Sequence, residues 1–255
     1  MNKMNLSHRQ RDILDLLREV DRLSTEQLAD RFNVTSQTIR RDINDLDEQG
    51  LVRRVHGGLS LPKNQHNKSF MQRSNVQIDR KRRIAQAAVG LMQDDATIFL
   101  GYGTTVAEFA RALPPDRPLR VVTNNIDAVR ALADKPEIET WVAGGKLRPG
   151  DRDVMGSMTL DFLRKFRAHF AVCGVGAVGA DGTLYEFEPD EAELSQVLLS
   201  HSHHRLLLAD SSKFLREAPC RVAKLEQFDH FFTDAEAPAE LRALCERAGV
   251  ETHLC

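Results

Sequence analysis

The 255-residue chain has no apolar run near the roughly 20 residues that cross a bilayer, and its polar start, Met1-Asn2-Lys3-Met4-Asn5, is not a signal peptide. Its four cysteines, Cys173, Cys220, Cys245 and Cys255, are widely spaced and form no CxxC or Cys/His cluster. That argues against a spacing-defined zinc site or a disulfide framework and fits a reduced, cytoplasmic setting. The stretch Gly101-Tyr102-Gly103-Thr104-Thr105 lacks GxGxxG spacing, and no Gly-Lys-Ser/Thr follows it, so neither a dinucleotide nor ATP is expected. No RNP-like aromatic motif and no repeated basic domain points to RNA or to an architectural role. No heptad repeat marks a subunit interface. No metal, cofactor or membrane partner is expected. What is present is 42% hydrophobic and 28% charged residues, a globular composition, in a length that holds one large domain or a small one joined to a medium one.

The net charge of -2 hides an uneven distribution. Residues 1–83 carry 17 Lys/Arg against 11 Asp/Glu, and the rest carry 18 against 26. The excess comes from 61–83, chiefly Lys63, Lys68, Arg73, Arg80, Lys81, Arg82 and Arg83. Such a run beside a small domain suits attraction to DNA; the alternative is an ordinary charged linker.

The first sixty residues predict three short helices and a hairpin. Ile13, Leu14, Leu16, Leu17 and Val20 give the first helix an apolar face. Ser24-Thr25-Glu26-Gln27 matches a capping box and opens a second helix packed through Leu28, Ala29 and Phe32. After a turn at Asn33-Val34, Thr35 or Ser36 caps a third helix buried through Ile39, Ile43 and Leu46 and ended by Gly50. That stripe leaves Ser36, Gln37, Thr38, Arg40, Arg41 and Asn44 on the opposite face or its margins, with short polar groups at the amino end. Such a helix suits the major groove, where amides and arginines reach base edges and phosphates. Leu51 to His56, the turn Gly57-Gly58 and the return Leu59-Ser60-Leu61 then form a wing carrying Arg53, Arg54 and His56.

Residues 62–75 show little periodicity and are expected to connect two domains, 1–61 and 76–255. Beyond them, continuous apolar runs alternate with helices: Thr97 to Leu100, Leu119 to Thr123, Thr140 to Ala143, Phe170 to Cys173, Leu206 to Ala209 and His230 to Thr233. Strands of this kind are buried on both faces, so an α/β sheet covered by helices is expected. Ligands bind such sheets at the strand ends. Gly103 lets the chain approach an anion, and Thr104 and Thr105 offer hydroxyl and N–H groups at a helix start. Asn124 and Asn125 suit ligand hydroxyls, Gly144 and Gly145 follow another strand, and Lys213 supplies charge. An enzyme acting on a sugar phosphate is the rival reading, with Asp181, Glu186, Glu188, Asp210 and Lys213 as available acids and bases. No catalytic residue is assigned.

The segments Leu23 to Ala29, Phe32 to Ile43 and Arg54-Val55-His56-Gly57-Gly58 together resemble the DeoR family of transcription regulators. The likeness continues through Gly103-Thr104-Thr105, Thr123-Asn124-Asn125, Ala143-Gly144-Gly145, Asp181-Gly182 and Asp210 to Phe214. It implies a winged helix-turn-helix followed by an α/β sensor domain resembling the ribose-5-phosphate isomerase fold. It also implies a repressor of double-stranded operator DNA, without enzymatic activity, working as a homodimer or homotetramer. The implied effector is a phosphorylated small molecule. Glycerol 3-phosphate and control of glycerol metabolism come first, since Leu184-Tyr185-Glu186-Phe187 resembles members of that kind; a fructose phosphate or another sugar phosphate is the alternative. The chain departs from many members at Gly101, where they carry aspartate, and at Ser195-Gln196, where they carry Lys-Arg.

Overall fold

A computed structural model describes residues 6–20, 22–48, 51–55, 57–60 and 70–255. Gly50, His56, Leu61 and the 62–69 part of the expected connection, with Lys63 and Lys68, lie outside the described residues. The chain divides into two compact units, Met1–Gln65 and His66–Cys255. Among the described residues no helix is long and apolar enough to cross a membrane.

The first unit runs α1 (His8–Glu19), β1 (Arg22–Ser24), α2 (Thr25–Phe32), α3 (Ser36–Glu48), β2 (Arg53–Val55) and β3 (Gly58–Ser60). Both α1 and α2 open with reciprocal capping boxes, Ser7 with Gln10 and Ser24 with Gln27. Ile13 and Leu17, one helical turn apart, meet Leu28, Ile39, Ile43 and Leu46 in a closed core. Val20, expected on that apolar face, is 43% exposed. The helix ends before it, and its extended backbone turns its side chain out of the stripe. The expected wing is a three-stranded sheet in the order β1-β3-β2, because the segment before α2 pairs with β3. A Cβ on Gly58 would stand 2.1 Å from the Leu23 carbonyl oxygen, so glycine is what lets β1 and β3 close up.

The second unit begins with α4 (Phe70–Asn75), α5 (Ile78–Val89), β4 (Thr97–Leu100), α6 (Thr104–Ala112), β5 (Leu119–Thr123), α7 (Ile126–Leu132) and β6 (Ile138–Val142). It continues with β7 (Lys146–Arg148), β8 (Asp153–Met155), α8 (Ser157–Leu163), β9 (Ala168–Cys173), β10 (Ala177–Val178) and β11 (Thr183–Glu186). It closes with α9 (Pro189–Ser200), β12 (Ser202–Leu208), β13 (Cys220–Lys224), β14 (His230–Thr233), α10 (Ala239–Ala248) and β15 (Glu251–Leu254). Seven strands pair in parallel in the order β15-β14-β12-β9-β4-β5-β6. Alternation along each strand splits the apolar runs between two cores. Ile98 and Leu100 join the cluster under α5, α6 and α7, whereas Phe99 joins the one under α8, α9 and α10.

One expectation changes here. Residues 70–75, assigned to the connection, form α4 within the second unit. Phe70 is buried, its N–H bonds to the Gly150 carbonyl at 2.7 Å, and Arg73 pairs with Asp151 at 2.5 Å. Several described members of the basic run also have partners inside this unit. Arg80 pairs with Asp234 at 3.0 Å, Arg82 lies 3.6 Å from both Asp79 and Glu108, and Lys81 is buried. The Lys81 ammonium donates to the carbonyls of Arg73 and Val76, and burial pulls it down to about 8 despite the nearby Asp210.

Candidate nucleic-acid interface and anion pocket

The α3 face opposite Ile39, Ile43 and Leu46 exposes Gln37, Arg40, Arg41 and Asn44, while Ser36 and Thr38 are half-buried. Thr35 begins the helix by accepting from the Thr38 N–H at 3.3 Å, and the two hydroxyls lie 2.9 Å apart. The sharp entry follows from Asn33, whose left-handed backbone (φ 50°) ends α2. Arg9 of α1 forks onto Asp42 at 2.5 and 3.3 Å, fixing the buried side of α3 so that its other side presents one orientation. Arg53 and Arg54 are exposed on β2, and the Arg54 N–H donates to Asp47 at 3.3 Å, tying the strand to the end of α3. The Gly57 carbonyl accepts from Thr25 N–H at 2.9 Å, tying the turn to α2.

Strand order decides where the second site lies. The chain adds β5 and β6 on one side of β4, then returns to add β9, β12, β14 and β15 on the other. The reversal falls between β4 and β9, and the crevice beyond their carboxyl ends is where such sheets hold ligands. A cavity of about 370 Å³, counted with the solvent at its mouth, opens there. Its lining includes Tyr102 to Thr105 after β4, Gly174 to Gly176 after β9, Lys213 from the short helical turn after β12, Glu186 of β11 and Arg73 of α4.

Gly103 occupies the N-cap position of α6 with φ 101° and gives the first-turn N–H groups no capping side chain. Two cations, Lys213 and Arg73, share the cavity with that helix start, and the Arg73 Nε is buried without a hydrogen-bond partner. Glu186 is buried among them; burial, with Glu191 adding, raises its carboxyl well above the ordinary range. Gly176 makes room for it, since a Cβ there would stand 2.7 Å from Glu186 Oε2. Burial also pulls Lys213 down, with Arg216 adding and Asp210 and Glu186 opposing, to about 8. Tyr102 is fixed beneath by donating to the Glu191 carbonyl and pairing with Ser195, both at 3.0 Å. The site therefore offers N–H donors, two cations and a protonatable carboxyl, suited to an anion bearing hydroxyl groups.

Of the residues singled out from sequence, Gly103, Thr104, Thr105 and Lys213 meet at this cavity; Asn124, Asn125, Gly144 and Gly145 do not line it. The reason is strand order: the asparagines follow β5, one strand from the crevice, and the glycines follow β6, two strands away. Asn125 is fully engaged, accepting from the N–H groups of Asp127 and Ala128 while donating to the carbonyls of Gly101 and Gly103. Asn124 donates to the Val154 carbonyl at 3.0 Å and keeps a buried, unpartnered Oδ1. The Gly144 carbonyl accepts from Thr159 at 2.8 Å, and Gly145 packs directly against α8. Of the acids weighed for catalysis, only Glu186 shares the cavity with Lys213; Asp181 pairs with Lys224 at 2.8 Å and Asp210 caps the turn at Ser212. Gly101 lies under Leu198, a Cβ there standing 3.3 Å from its Cδ1 and 3.4 Å from the Val172 carbonyl oxygen. Sequence reasoning counted Arg73 only in the basic run and weighed Glu186 only as a catalytic acid or base, and the Gly174-Val175-Gly176 turn repeats the strand-then-glycine signal of the β4 end.

The profile described as DeoR C terminal sensor domain matches residues 76–235, and that described as DeoR-like helix-turn-helix domain matches residues 9–65. The chain belongs to the DeoR family. Among relatives of this DeoR-family chain, the glycerol-3-phosphate regulon repressor of Escherichia coli (strain K12) is 34% identical over 252 residues, 99% of this chain and 100% of that one. The HTH-type transcriptional repressor CsqR of the same organism is 36% identical over 94% of this chain and 92% of that one. Among solved structures, ribose 5-phosphate isomerase A of Methanocaldococcus jannaschii aligns with 54% of each chain at 21% identity and a TM-score of 0.40, a partial likeness.

Proposed function

We propose that this chain is a transcriptional repressor that binds operator DNA through α3 and the wing and leaves it when glycerol 3-phosphate fills the β4–β9 pocket. The observation that carries the effector reading is the convergence of an uncapped helix start, Lys213, Arg73 and Glu186 on one cavity. Gly103, Thr104 and Thr105 hold the phosphate, Lys213 and Arg73 balance its charge, and Glu186 hydrogen-bonds a hydroxyl. Likeness along nearly the whole length to a glycerol-3-phosphate regulon repressor supports that metabolite over a sugar phosphate.

On the DNA side, Gln37 and Arg40 read bases, with Asn44 and the amino-end Ser36 and Thr38 assisting, and Arg41, Arg53 and Arg54 hold phosphates. One such helix reads too few base pairs to define a genomic address, so the active species is a homodimer or homotetramer. Arg73 supplies a route for control. It sits on the first described helix after the connecting stretch and is held by Asp151, so a phosphate competing for it changes what α4 is bonded to. The effector lowers DNA affinity only by binding the released state better than the bound one. The test is a titration of glycerol 3-phosphate, glycerol and several sugar phosphates against the protein–operator complex. Release by glycerol 3-phosphate alone, lost in a Thr104→Ala, Thr105→Ala variant that still binds DNA, is the expected outcome. Release by a different phosphate overturns the effector, and no operator-specific binding overturns the repressor.

A further inference from the structure

A second site stands at the opposite end of the sheet. The pocket lies at strand carboxyl ends, whereas His230 and Glu251 are the first residues of β14 and β15. The parallel register pairs His230 with Glu251 and Phe232 with His253, which places all four side chains on one face of the sheet edge. The His253 ring lies flat on Phe232, with centroids 4.1 Å apart and planes 7° from parallel, so its direction is set by packing. His230 Nδ1 is 3.2 Å from His253 Nε2 and 3.3 Å from Glu251 Oε2, and His253 Nε2 is 3.6 Å from Glu251 Oε1.

One donor atom from each residue lies within 4.8 Å of the other two, and the carboxylate turns a different oxygen to each ring, 3.3 Å from His230 and 3.6 Å from His253. Tetrahedral bonds of about 2.0–2.1 Å place neighbouring donor atoms about 3.3–3.4 Å apart. Two imidazole nitrogens facing each other at 3.2 Å share at most one proton, so at least one presents a lone pair. Glu251 is largely exposed and β15 is an edge strand, so a further coordination position faces outward. Two imidazoles and one carboxylate favour a borderline divalent ion over magnesium or calcium, which take oxygen ligands.

We propose that His230, Glu251 and His253 bind one divalent transition-metal ion, zinc foremost, tying β15 to β14 and leaving a position for water or an outside donor. The full-length protein, stripped with a chelator, is titrated with zinc in a calorimeter, and its cobalt(II) derivative is followed by visible absorption. One ion per chain is expected, with a tetrahedral cobalt spectrum lacking the thiolate charge-transfer band that cysteine ligation would give. Loss of a second-shell partner alone weakens metal sites roughly 10–100-fold, so His253→Ala and His230→Ala weaken zinc binding at least tenfold. Glu251→Gln, at an exposed position that leaves the fold intact, weakens it in the same direction. Absence of zinc binding, a thiolate band, or unchanged affinity in the His230→Ala, His253→Ala double variant overturns the site and leaves a hydrogen-bonded histidine pair.

Discussion

Replacing Asn125 separates a residue that builds the pocket from one that touches its occupant. Its Oδ1 caps α7 by accepting two backbone N–H groups, and its Nδ2 donates to the Gly101 carbonyl at 3.2 Å and the Gly103 carbonyl at 3.1 Å. Losing the cap costs about 1 kcal/mol. The two donated bonds contribute about 1 kcal/mol each, and the cost is concentrated on Gly101, because the Gly103 carbonyl keeps the Ala107 N–H as a partner. Asn125→Ala is therefore destabilised by about 3 kcal/mol, which lowers the melting temperature of a unit this size by about 6–12 °C. The single tryptophan, Trp141 on β6 of the same unit, reports that transition by fluorescence. Asn125→Asp keeps the cap but sets a carboxylate against two carbonyls, so it also melts well below the parent protein. Effector affinity should weaken in both variants through the loosened Gly101–Gly103 loop. An Asn125→Ala protein that melts within about 2 °C of the parent while losing effector binding would refute this reasoning and make the side chain a direct ligand.

Three further outcomes are expected. Arg40→Ala should lose about 1–3 kcal/mol of affinity for operator while random duplex affinity falls much less; equal losses in a gel-shift comparison would remove Arg40 from base reading. Gly145→Ala should destabilise the second unit by about 1–3 kcal/mol in chemical denaturation, because its Cβ would stand 2.3 Å from Thr159 Oγ1 at a backbone φ of 150°; an unchanged midpoint would show that α8 gives way freely. Lys213, pulled by burial to about 8, holds its proton below that pH and loses it above, whereas a bound phosphate favours the protonated form. Effector affinity should therefore fall as pH rises from about 8 towards the ordinary lysine range, with proton uptake on binding in that window; a flat profile from calorimetry would remove Lys213 from the anion site.

Local chemistry made much of this protein legible in its sequence. Ser24 and Gln27 cap α2 three residues apart, Ile39, Ile43 and Leu46 share a face by helical period, and the apolar runs ending at Leu100, Thr123 and Cys173 are buried on both sides. Each of these signals is carried by neighbours in the chain, and the helix-turn-helix and the glycine-threonine start of α6 were readable for that reason. Pairing between distant strands is not carried that way. Nothing in Thr97–Leu100 states that β9, some seventy residues later, lies beside it, yet that adjacency moves the crevice away from Asn124, Asn125, Gly144 and Gly145 and admits Arg73 and Glu186. The same holds for His230 and His253, ordinary residues in sequence that only the β14–β15 register brings to 3.2 Å. Periodicity and capping act over one or two turns of chain, whereas a shared site needs atoms placed by the whole sheet.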